Sequence, residues 1–128
     1  MRFLLIYPKW EKLDRQTRFN LPPHGPVVMA AALPPDVEVK FIDENVEPVD
    51  FDAEADFVGI SIMLSAQLRR GWEIAAAFRA RGIKVILGGI ATMLHAEECR
   101  AHADSIFLGE AEGRLEQLAH PSLPARIA

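Results

Sequence analysis

One cysteine, Cys99, is all that this 128-residue chain contains. That excludes an internal disulfide and any iron–sulfur or other metal site built within it from cysteines alone. The usual phosphate cradles are missing too. Neither Gly-x-Gly-x-x-Gly nor Gly-x-x-x-x-Gly-Lys occurs, so a flavin or nicotinamide nucleotide site has little support. No apolar run approaches the roughly 18 residues needed to span a bilayer. The start, Met1-Arg2-Phe3-Leu4-Leu5-Ile6-Tyr7, carries the charge of a signal peptide but not its length, and it runs into Pro8-Lys9-Trp10-Glu11. A buried first strand fits it better. Excess basic charge is also absent: the net charge is −4 and the pI near 5.5, the opposite of a nucleic-acid-binding surface. A cytoplasmic protein is the default expectation.

What the chain does have is apolar residues, half of the total, enough for a core in a single domain. They gather into five continuous runs, roughly Arg2–Tyr7, Val37–Ile42, Phe57–Ile62, Lys84–Leu87 and Ser105–Leu108. Continuous rather than alternating runs mark parallel strands covered on both faces. Between them, Ser65 to about Arg81 places Leu64, Leu68, Trp72, Ala75 and Phe78 on one helical face and Arg70, Glu73, Ala77 and Arg81 on another. Ser65 reads as its N-cap and Gly82 as its C′ residue. The segment from Gly25 to Leu33 reads as a short helix that opens on a proline and stops at Pro34-Pro35. His95 to Ala101 and Glu110 to Leu118 read as two more, and Asp43 to Ala55 as an acidic connection too short for a full helix. The pattern is that of an α/β, flavodoxin-like (Rossmann-like), doubly wound five-stranded parallel sheet in the order 2-1-3-4-5. Residues 1–118 make up this domain, and residues 119–128, with two prolines, read as a tail or the start of a linker.

In such sheets, ligands bind in the crevice outside the carboxyl ends of the strands. Small residues collect there: Ser61 and Ser65 after the third strand, Gly88 and Gly89 after the fourth, Gly109 after the fifth. They allow a large flat ligand to lie close to the backbone. The plainer readings are a helix cap for Ser65 and a tight turn for Gly88-Gly89. The loop from Tyr7 to Gly25, about seventeen residues, exceeds the roughly 12–15 of an ordinary connection. Its apolar residues, Trp10, Phe19, Leu21, Pro22 and Pro23, serve either to fold it over a flat ligand or to pin it to the first helix. The histidines, His24, His95, His102 and His120, form no metal-ligand pattern such as His-x-x-x-His. His95 and His102 read as solvent-facing, whereas His24 opens the first helix at the ligand edge. Asp43 and Glu44, ending the second strand, read as a solvated turn. No carboxylate pair is identifiably buried and no Gly-x-Ser-x-Gly surrounds either serine, so no catalytic acid, base or nucleophile can be named. A receiver-like regulatory domain would need acidic residues at the ends of the first and third strands, where Tyr7 and Ser61 stand instead.

Seven short motifs then acquire meaning from their order and spacing: Leu5-Ile6-Tyr7-Pro8, Leu21-Pro22-Pro23-x-Gly25, Ala31-Ala32-Leu33, Ile42-Asp43-Glu44-Asn45, Val58-Gly59-Ile60-Ser61, Leu87-Gly88-Gly89 and Gly109-Glu110-Ala111-Glu112. Over nearly its whole length the chain resembles the cobalamin (vitamin B12)-binding domain found at the N-terminus of radical-SAM enzymes. Related cobalamin domains carry Asp-x-His-x-x-Gly, Ser-x-Leu and Gly-Gly. Here Ser61-x-Met63 looks like the second element and Gly88-Gly89 the third, while the first does not occur. The resemblance implies that cobalamin is the cofactor, with its nucleotide tail in a slot lined by Ser61, Met63, Ser65, Gly88 and Gly89. Gly109 and Glu110 would lie nearby, and the corrin would rest on the carboxyl edge of the sheet. With the first element missing, no protein histidine is expected as the lower ligand of cobalt, His24 being the one candidate. The cluster motif Cys-x-x-x-Cys-x-x-Cys is absent. The expected role is therefore a cobalamin-binding module related to B12-dependent radical-SAM methyltransferases and cyclases. It is non-catalytic by itself and works with a radical-SAM domain or protein, with no nucleic acid or membrane involved. The alternative is a degenerate domain that binds a partner without cofactor.

Overall fold

Arg2–Tyr7 forms the first strand, β1, with every residue after Arg2 buried. Apolar side chains on both sides suit it to the interior of a sheet rather than an edge. The computed structural model describes residues 1–11, 26, 31, 33, 35–108 and 126–127. Within these, β2 is Glu38–Asp43, β3 is Phe57–Ser61, β4 is Lys84–Gly88, β5 is Ser105–Phe107 and β6 is Arg126–Ile127. They make one sheet in the order β2-β1-β3-β4-β5-β6, every pair parallel. The first five strands stand in the flavodoxin-like order that the apolar runs indicated. The two-residue β6, from the segment read as a tail or linker, adds beyond β5.

Alternation along the strands sorts the apolar side chains into two cores. One face carries Leu4, Ile6, Val58, Ile60, Val85, Leu87 and Ile106, the other Phe3, Leu5, Phe57, Ile86 and Phe107. The described helices cover the first face. They are α1 (Leu68–Ala80), α2 (Ile90–Leu94) and α3 (Ala96–Arg100). Helix α1 buries Leu68, Ile74, Ala75 and Phe78 there, and Cys99 of α3 is fully enclosed. Leu33 packs on the second face. The helix expected at 110–118, and most of the one expected at 25–33, lie outside the described residues.

The expected helix from Ser65 begins as a 3-10 turn, Ser65–Gln67, before α1, and it ends at Arg81 with Gly82 at φ +79°. Ser65 is not its cap. The buried Gln67 side chain takes that role instead, its Oε1 accepting the backbone N–H groups of Leu64 at 2.9 Å and Met63 at 3.1 Å. The longer amide reaches back over the turn, which the serine hydroxyl does not. The connection between β2 and β3 is helix-free. Asp43 starts it with an Asx turn, Oδ1 accepting from both N–H and Nδ2 of Asn45 at 2.9 Å.

Candidate functional site

The second face of the sheet is where small residues meet. Strand register pairs Ser61 with Gly88, so the two adjacent strands both lack bulk at the same level of the carboxyl edge. One level below, Leu5, Gly59, Ile86 and Ser105 lie side by side across β1, β3, β4 and β5. Below them stand Phe3 and Phe57. A Cβ on Gly59 would lie 2.7 Å from the Phe3 ring, so that ring fills the space over Gly59 and closes the gap from beneath. A Cβ on Gly88 would meet only Phe107 Cβ, at 3.6 Å, an ordinary contact. This stretch without side-chain bulk at the carboxyl edge, between Ser61 and Gly88 with Phe107 beside it and Phe3 beneath, is the candidate slot.

Gly89 differs from its neighbour. Its φ is +96°, and a Cβ there would sit 2.4 Å from the Ile62 carbonyl oxygen. Gly89 is thus required by the backbone and does not face the slot. The strand exits are stitched around it: Ile62 N–H and the Thr92 hydroxyl both donate to the Gly88 carbonyl at 2.8 Å, and Ala91 N–H donates to the Ile62 carbonyl at 3.0 Å. These bonds fix the slot mouth before any ligand arrives.

The other expected residues sit higher on the edge. Met63 is half-buried and Ser65 exposed. Ser65 Oγ lies 3.5 Å from His95 Nε2, and His95 Nδ1 lies 3.2 Å from Glu98 Oε1. His95, expected to face solvent, is partly exposed and lies between Ser65 of the 3-10 turn and Glu98 of α3. His102, also expected to face solvent, stacks its ring on Trp72 at 4.2 Å and 9°. Gly109, Glu110 and His24 lie outside the described residues. Leu64, Ile90, Met93 and Leu94 leave an apolar rim exposed along this edge.

On the β2 side, Asp43 and Glu44 are not a solvated turn. Asp43 is buried, and the Glu44 side chain, 5% exposed, holds Arg70 in a two-pronged ion pair at 2.6 and 2.9 Å. The helical spacing placed Arg70 on the outer face of α1, but it gave no sign of this acidic partner 26 residues away. Burial pushes the Glu44 carboxyl up, yet the Arg70 fork and the Lys9 N–H outweigh it and bring the group below the usual carboxylate range. Lys9, Asn45 and Phe51 join this pair around an open cleft of about 420 Å³. Tyr7 is pushed above the ordinary phenol value by burial, partly offset by the Gln67 amide. Among the described residues no group of three His, Cys, Asp or Glu side chains is placed to hold a metal ion.

The model of the B12-binding domain family matches residues 13–119. This chain belongs to that family. Cobalamin is accordingly its cofactor, and the slot fits the requirement: two adjacent strands without side-chain bulk at their carboxyl ends, with a rigid mouth. The B12-binding domain described here is 37% identical over 86 residues, 66% of the chain, to a bacteriochlorophyllide d C-8(2)-methyltransferase of Chlorobaculum tepidum. It is 34% identical over 124 residues, 88% of the chain, to an uncharacterized methyltransferase of Synechocystis. The matched regions cover 19% and 23% of those proteins, so the chain spans about a fifth of the length of the curated relatives it matches.

Proposed function

We propose that this domain holds cobalamin for methyl transfer carried out together with a radical-SAM domain or protein, and has no catalytic activity alone. The observation that carries the reading is the Ser61–Gly88 gap, a slot for the nucleotide tail directly under the edge where the corrin would rest. Two relatives named as methyltransferases support the reaction class. Bound cobalamin supplies a cobalt centre that accepts and donates a methyl group. The chain's own part is binding and orientation: Ser61 and Gly88 admit the tail, and the bonds through Ile62 and Thr92 hold the mouth in shape. The apolar rim of Leu64, Ile90, Met93 and Leu94 supports a partner lying over the loaded edge. No helix among the described residues is long and apolar enough to cross a membrane, and the reading retains the cytoplasmic setting expected from the sequence.

The test is direct. Purified chain mixed with hydroxocobalamin should keep a red chromophore through gel filtration. The loaded chain, given reductant and S-adenosylmethionine, should produce no 5′-deoxyadenosine. Loss of the colour would remove the carrier role, and nucleoside production by the chain alone would overturn its non-catalytic character.

A further inference from the structure

The hydroxyl of Ser105 is buried and, among the described residues, has no hydrogen-bond partner. An enclosed, unpaired hydroxyl is costly and rare, and each instance asks for an explanation. Ser105 opens β5, lies beside Ile86 in register, and alternates onto the same face as Phe107. Its oxygen therefore belongs to the second face, in the row that holds Gly59 and Ile86, one level below the Ser61–Gly88 mouth. Two residues of strand separate Ile86 from Gly88, roughly 7 Å of depth. Its neighbour in register, Ile86, and the next residue of its own strand on that face, Phe107, are apolar. One buried, unpaired hydroxyl thus stands below the mouth, a level deeper than the hydroxyl of Ser61.

We infer that Ser105 is a ligand-recognition residue: its hydroxyl hydrogen-bonds the heteroaromatic base that ends the cofactor's nucleotide tail. The inference rests on the tail entering the slot as proposed above. A base off the cobalt has a ring nitrogen free to accept the bond, and the hydroxyl is a donor with no competing acceptor. A mostly apolar pocket with an unpaired donor at its inner end selects for the ligand able to satisfy it. The arrangement accounts for a serine where valine or isoleucine would pack better, and it places discrimination between tailed and tail-less corrinoids in this one side chain.

Ser105→Ala tests it in the full chain by absorbance titration with cobalamin and with cobinamide, the corrin lacking the nucleotide tail. The wild type should bind cobalamin more tightly than cobinamide. The substitution should weaken cobalamin about fivefold to tenfold and leave cobinamide unchanged. Thermal unfolding of the ligand-free variant should be unchanged or shifted upward, because an unpaired hydroxyl is removed, whereas a structural hydroxyl would lower it. Equal cobalamin affinity in wild type and variant, or an equal loss for both corrinoids, overturns the role of Ser105. Equal binding of the two corrinoids by the wild type overturns the tail-in-slot reading, and this inference with it.

Discussion

The side-chain amide of Gln67 donates to the carbonyl of Pro8 at 2.6 Å, joining residues 59 apart in sequence. Its oxygen meanwhile accepts from Met63 and Leu64. One fully buried side chain thus ties the exit of β1 to the exit of β3 and sets the height of the edge between them. Gln67→Ala leaves two N–H groups and one carbonyl without partners. It should cost about 2–3 kcal/mol in urea-induced unfolding. A loss below about 0.5 kcal/mol would mean that water replaces the amide without penalty.

The two glycines after β4 should behave differently when substituted. Gly89→Ala forces a Cβ against the Ile62 carbonyl at positive φ, and should destabilise the domain by at least about 2 kcal/mol whether or not ligand is present. A Cβ on Gly88 makes only an ordinary contact with Phe107, so Gly88→Val should leave the fold intact. It narrows the slot mouth, so cobalamin affinity should fall at least about tenfold, or about 1.4 kcal/mol. Circular dichroism melts alongside cobalamin titrations separate the two. Full affinity in folded Gly88→Val would place the tail elsewhere.

The Glu44–Arg70 pair gives an acid-side signature. Because the folded carboxyl lies below its ordinary value, its stabilisation is complete above the unfolded carboxylate value, about 4.3, and is lost as pH falls through the folded one. Arg70→Met should cost about 1–3 kcal/mol near neutral pH, since it leaves a buried carboxylate without its partner. The difference between wild type and variant should be constant above about pH 5 and shrink toward about pH 3. Denaturant melts across that range measure it, and a difference independent of pH would show that the pair contributes packing rather than charge.

Bound cobalamin should take no histidine from this chain as its lower ligand. Among the described residues, His95 stands at the carboxyl edge with both ring nitrogens engaged, by Ser65 and Glu98. Electron paramagnetic resonance of the cob(II)alamin complex, with protein labelled in nitrogen-15, decides the matter. Hyperfine coupling should not respond to the label. A response that vanishes in His24→Ala or in His95→Ala would identify the ligand that this expectation denies.

The strands and their order were legible because continuous apolar runs can hardly be anything but interior parallel strands. The Gly-Gly after β4 drew attention to the strand end where the slot is proposed, though sequence alone could not divide its labour between Gly88 and Gly89. That division depends on where a Cβ would point, a property of register and φ. Gln67 went unnoticed because a glutamine at a helix start is usually solvated, and its partner at Pro8 is brought close only by the sheet. The Glu44–Arg70 pair was hidden for the same reason. Ser105 left one trace, a serine heading an apolar strand, which acquires significance only once that strand is known to be enclosed. The His102 stack on Trp72 is likewise a tertiary event between helix α1 and the turn after α3.

That stack has an optical consequence. The chain has two tryptophans. Trp10 follows β1 at the ligand edge, its ring 5.8 Å from Tyr7, while Trp72 is held on helix α1 against the imidazole of His102. Contact with an imidazole dims indole emission, most strongly when the imidazole is protonated, whereas a corrin quenches by absorbing the emitted energy. One indole is therefore positioned to sense arrival at the carboxyl edge, and the other the integrity of the helical face. Replacing each in turn with phenylalanine would give two single-fluorophore chains that watch binding and unfolding separately, with no dye attached.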